Sequence, residues 1–221
     1  MIPLVFAWLL WRHMKSKKAQ GKSLNLKLVF VFLLACPWTH SLSAQEKVLN
    51  YTVYHNGSAT GKLKLYENVQ TNKVRIRIDS DVKLNVLIRI NVRSIEEALF
   101  ENGIMVSSTL RRIVNGHDKV NQQLLGKGPC YQLNDNSGAS ILICYPIRAS
   151  ILWLYHMEPV GVKEVFADNF KKNVPVEKVD SCRYRVRFPN GQENYYSYHQ
   201  GQCTKVEVRQ ALYNVEFVLN N

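Results

Sequence analysis

The sequence predicts an all-β protein: an antiparallel meander forming a curved sheet, half-barrel or barrel-like roll, with one short helix. Three observations carry this. From Val48 onward apolar residues recur at every second position, the period of a strand with one buried face. Four Asn-Gly pairs, Asn56-Gly57, Asn102-Gly103, Asn115-Gly116 and Asn190-Gly191, supply the positive φ that tight hairpin turns need. Helical patterning is confined to RASILWLYHME at 148–158, between Pro146 and Pro159, with a further turn in VFADNFKK at 165–172.

Taken in order, strands are expected at 48–55, 62–68, 73–79, 82–93, 96–101, 104–114, 118–125, 129–133 and 140–145, then at 174–179, 182–188, 192–198, 203–210 and 213–220. The clearest alternation is Val82, Leu84, Val86, Ile88, Ile90 and Val92 against Lys83, Asn85, Arg89, Asn91 and Arg93. Tyr184, Val186 and Phe188 alternate with Arg183, Arg185 and Arg187 in the same way. Asp135–Gly138 and Gln200-Gly201 read as looser turns. A dozen strands with one apolar face must curl or double over to hide that face and its edges. The helix at 148–158 would then lie against the open side or plug an end.

The chain carries a formal net charge of +12, but residues 1–44 hold six basic residues and no acidic one, leaving 23 basic against 17 acidic. That remainder is spread along strands beside acids, a solvated surface with no footprint for nucleic acid. Residues 1–44 read as a signal peptide: lysines at 15, 17, 18, 22 and 27, an apolar run LVFVFLLAC at 28–36, Pro37, then small residues up to Ala44. The run is far shorter than the about 20 residues of a membrane-spanning helix, so no transmembrane span is expected. Residues 1–13 lie upstream of Met14, a second candidate start, and Gln45 is the expected mature N-terminus of a single β domain, 45–221. LLAC at 33–36 also resembles a lipobox, and the alternative is a lipoprotein anchored through Cys36.

Beyond the signal, Cys130, Cys144, Cys182 and Cys203 remain. An even count in an exported chain suggests two disulfides. A hairpin centred near residue 137 sets Cys130 opposite Cys144, and 182–203 is the second expected bond.

FENGIMVSS at 100–108, LWLYHMEP at 152–159, VFADNF at 165–170 and RFPNGQENYYSYHQGQCTKVEV at 187–208 resemble an uncharacterised family of exported proteins from Gram-negative bacteria, a domain of unknown function. The resemblance runs from about residue 48 to the end of the chain. It implies an exported, mostly antiparallel β protein akin to periplasmic β-rolls, and brings no activity or site residue with it.

Catalytic constellations are not evident. His55, His117, His156 and His199 are dispersed, without the helical spacing that sets two imidazoles on one metal. No Gly-x-Ser-x-Gly elbow or phosphate loop occurs. No catalytic, metal or cofactor residues are therefore assigned. The candidate ligand-facing residues are aromatic: Trp153 and Tyr155 by the short helix, Tyr196 and Tyr198 on one strand face. The expected function is a periplasmic or secreted, non-enzymatic protein that binds an apolar or amphiphilic ligand such as a lipid, or an envelope protein, on its curved sheet. A glycan-binding or envelope-structural module is the alternative, ahead of a hydrolase.

Overall fold

The computed structural model describes residues 46–85, 89–138, 140–210 and 213–220. The expected signal peptide, Cys36 and the expected N-terminus at Gln45 lie outside the described residues. The strands are β1 (Glu46–His55), β2 (Ser58–Val69), β3 (Lys73–Asn85), β4 (Arg89–Glu101), β5 (Ile104–Val114), β6 (His117–Lys127), β7 (Cys130–Asn134) and β8 (Ser140–Ile143). After helix α1 (Trp153–His156) come β9 (Glu164–Ala167), β10 (Lys172–Asp180), β11 (Arg183–Arg187), β12 (Glu193–His199), β13 (Gln202–Arg209) and β14 (Asn214–Leu219). They form one curved, unclosed antiparallel sheet, running from β8 down to β1 and then from β14 down to β9. The fold is all-β, as the alternation predicted. No helix among the described residues is long and apolar enough to cross a membrane.

Tight turns set the register. Asn56-Gly57, Asn102-Gly103 and Asn115-Gly116 have both residues at positive φ, and so does Gln200-Gly201, which is as tight as the Asn-Gly pairs rather than looser. At Gly61 the sheet approaches itself closely: a Cβ there would lie 2.8 Å from the Cα of Val82 on β3. Only glycine allows that approach.

Even-numbered residues of β3 to β6 face inward, except at the bulged start of β5 where Met105 does, and their register forms rows across the sheet. Gly61, Val82, Val92 and Val114 make one row; Leu63, Ser80, Ser94 and Arg112 make the next; Leu65, Ile78, Glu96, Leu110 and Gln122 make a third. The outer face carries ion pairs such as Lys73–Glu101, Arg93–Asp81 and Arg187–Glu193, each worth at most about 1 kcal/mol in water.

The segment between β8 and β10 fills one end of the curve. Leu152, Leu154 and Tyr155 of the α1 region are buried with Phe100, Leu124, Leu133 and Phe166 in the main core, each large apolar side chain contributing about 1.5–3 kcal/mol on burial. Tyr155 meets Tyr51 and Tyr196 edge to face, both at 5.9 Å. The Tyr198 hydroxyl donates to the Leu154 carbonyl at 2.6 Å and the Tyr131 hydroxyl to that of Met105 at 2.8 Å. A smaller cluster of Val53, Val82, Leu84 and Val215 lies apart from this core.

Four further expectations are corrected. The alternation over 82–93 belongs to two strands, since Leu84 pairs with Ile90 and Asn85 with Arg89; residues 86–88 lie outside the described residues. The helix is one turn, 153–156, because the backbone just before it pairs elsewhere: Phe166 donates to Ala149 and Ile151 donates to Phe166. Residues 165–167 are strand β9, followed by a 3-10 turn, Asp168–Phe170, rather than helix throughout.

The cysteines supply the fourth correction. Cys130 and Cys144 form a disulfide, with Cα atoms 4.0 Å apart. Cys182 and Cys203 are free, the first exposed and the second buried. Strand β12 separates them: Tyr198 donates to the Cys182 carbonyl on one side and pairs with Cys203 on the other. Two strand spacings, about 9–10 Å, exceed the roughly 7 Å limit for a disulfide.

Candidate functional site

The curved sheet leaves a cavity of about 450 Å³ between its inner face and the α1–β9 segment, within the about 300–1,000 Å³ typical of small-molecule sites. Its wall draws on both apolar clusters. Val82, Leu84, Ile90, Val92, Val114 and Phe217 line one part of it; of these, Ile90, Val92, Val114 and Phe217 keep partial exposure. Tyr155, Tyr196 and Leu152 line another.

A polar group interrupts the apolar lining where the 3-10 turn meets β4 and β5. Ser80 and Ser94 face each other at 3.0 Å, and Ser94 donates to Glu96 at 3.2 Å. Arg112 donates to Glu96 at 3.0 Å and to the Asn169 side chain at 3.4 Å. Asp168 is 9% exposed. Its Oδ1 accepts from Ser108 Oγ at 2.6 Å, and Gln122 holds its backbone carbonyl at 2.9 Å. Burial, assisted by the Glu96 charge, pushes the Asp168 carboxyl up to about 6 against the Ser108 hydrogen bond. The neutral acid and the carboxylate are therefore both accessible near neutral pH.

Among the charged residues lining the cavity, Glu96 and Arg112 form an ion pair, and Asp168 has no cation within ion-pair distance among the described residues. The arrangement suits a ligand with an apolar body and one polar end. The hydroxyls and charges are engaged with one another rather than posed as a nucleophile and base. No three His, Cys, Asp or Glu side chains converge as metal ligands among the described residues.

Of the four aromatic residues singled out in the sequence, Tyr155 and Tyr196 line the cavity. Trp153 instead packs on Phe100 at 4.7 Å and His156 at 5.1 Å, while Tyr198 stands edge-on to Tyr184 at 5.7 Å. Tyr195, on the outer face of the same strand, lies between the guanidinium groups of Arg183 and Arg209, 4.9 and 4.4 Å from its centroid. Sequence reasoning missed Glu96, Arg112 and Asp168. For the first two the signal was present: both occupy the even, inward phase of their strands.

Residues 51–220 match the family described as Domain of unknown function (DUF6134). The chain belongs to this family. No curated protein matches it. Among solved structures, the family member is similar to a crystal structure from Brucella abortus, a "Beta-barrel-like Protein of Domain of Unknown Function DUF1849". That similarity has 8% identity and a TM-score of 0.48, covering 79% of this chain and 95% of the other.

Proposed function

We propose that this family member is an exported, non-enzymatic binding protein that holds an amphiphilic small molecule in the cavity of its curved sheet. The carrying observation is the cavity's composition: an apolar wall of Val82, Leu84, Ile90, Val92 and Val114 interrupted by the Glu96–Arg112–Asp168 group. Burying an apolar chain against that wall supplies affinity, and a few placed polar groups supply orientation. The glycan alternative is less well supported, since Tyr196 and Tyr198 are buried and Tyr195 is taken up by two arginines. Export is supported by the signal-like residues 1–44 and by the Cys130–Cys144 bond, which suits an oxidising compartment. N-terminal sequencing should find Gln45; an intact leader would remove the export argument, and a lipidated Cys36 would make the protein membrane-anchored.

Extraction and mass spectrometry of protein purified from its native envelope should find a bound amphiphile. Val92→Trp, which fills the cavity from a partly exposed position, should abolish that co-purification at unchanged melting temperature. Retention of the same ligand by the variant would place binding elsewhere.

A further inference from the structure

The polar end of the cavity specifies which head group fits, an inference that rests on the amphiphile reading and sharpens it. Among the described residues three charged side chains line the cavity: Glu96 on β4, Arg112 on β5 and Asp168 in the turn after β9. Arg112 is already held by Glu96 at 3.0 Å and by Asn169 at 3.4 Å. Its charge is compensated, and two of its donors are spent. Asp168 is the converse case. It is nine-tenths buried, lines the cavity, and accepts one side-chain hydrogen bond, from Ser108. Lys171, the nearest cation along its own chain, is drawn away to Asp135 at 2.5 Å. With both acids ionised the described wall carries one negative charge in excess, on a carboxylate that no cation among the described residues neutralises. Burying such a charge is costly unless something pairs with it.

We infer that the cavity takes an amphiphile with a protonated amine head, the ammonium sitting against Asp168 and the chain along the Val82–Val92–Val114 wall. An anionic head would meet Asp168 and Glu96 with only a compensated guanidinium to receive it. An ammonium donates to Asp168, a charge-assisted hydrogen bond stronger than a neutral one.

Isothermal titration of the full chain with decylammonium, decanol and decanoate separates chain burial from head recognition. At about pH 8 the amine is protonated and the acids are ionised. Decylammonium is expected to bind roughly tenfold tighter than decanol, and decanoate more weakly than decanol. Asp168→Asn, whose amide oxygen can still accept from Ser108, should erase the amine's advantage while leaving decanol within about twofold. Arg112→Gln, which uncovers Glu96, should enlarge it. The advantage in the unmodified protein should also shrink as pH falls through the Asp168 transition, which Glu96, Arg112 and the bound head together set. Decanoate binding as tightly as decylammonium, or an amine advantage that survives Asp168→Asn, overturns the head-group inference while leaving the amphiphile reading standing. If none of the three binds, the amphiphile reading falls with it.

Discussion

Replacing Asp168 by asparagine should remove from the pH dependence of stability the component that falls as pH rises, because a buried carboxyl is expensive to ionise in the folded chain. Burial is the first cause and Glu96 adds to it, so the folded carboxyl lies at about 6 against an ordinary value of 3.8. Its contribution is fully present below the unfolded value and is lost as pH rises through about 6, since the unfolded chain then releases the proton more easily. A displacement of that size corresponds to about 3 kcal/mol lost between roughly pH 4 and pH 7. Asp118, Asp135, Glu177, Glu193 and Glu207 have carboxyls shifted down instead, which tilts overall stability the other way. Those groups are common to both proteins, so the difference between wild type and Asp168→Asn isolates the one residue. Urea unfolding followed by tryptophan fluorescence, with the disulfide intact, measures it at each pH. The variant should gain about 3 kcal/mol relative to wild type across that window, half of it by about pH 5. A difference that stays flat with pH, or widens toward acid, refutes the reasoning.

Reducing Cys130–Cys144, which closes a separation of 14 residues, should lower unfolding free energy by about 3 kcal/mol in the same assay. Gly61→Ala should cost about 1–3 kcal/mol, because its Cβ would press on the Asp81 carbonyl and the Val82 Cα, both backbone atoms that cannot swing aside. Alkylation of the native protein followed by peptide mapping should modify exposed Cys182 and spare Cys203, whose thiol is buried and shifted up by burial; modification of Cys203 at a similar rate would contradict its packing.

Fold class was legible because alternation and Asn-Gly turns are local signals that tertiary packing here reinforces. The misread strand at 82–93 shows where a local signal stops. When residue 84 pairs with 90 and residue 85 with 89, even residues face the same side in both strands. The alternation therefore runs through the reversal with no break in phase, and no Asn-Gly pair marks it. Strand β9 escaped for the opposite reason. Four residues, EVFA, are too few to show a period, and Val165, Phe166 and Ala167 are all buried, so no polar face remains to alternate.

The site was hidden by the same arithmetic, and the arithmetic also exposes it. On β4 the residues after Val92 read Arg93, Ser94, Ile95, Glu96, Glu97, Ala98, which looks like a strand ending and another beginning in opposite phase. The structure keeps one strand in one phase, with Ser94 and Glu96 turned inward and Ile95 outward at 43% exposure. Arg112 does likewise on β5, between inward-facing Leu110 and Val114. Polar residues that hold the inward phase of a long strand are costly in a packed core, and they persist where the core is interrupted by a space that can hold a polar group. Asp168 offered no such cue, since its inward position depends on β9 pairing with β10 and on Ser108 and Gln122 reaching it from β5 and β6. Phase violations thus lead from sequence to the edge of the cavity, and its uncompensated charge emerges only once three distant stretches of chain are brought together.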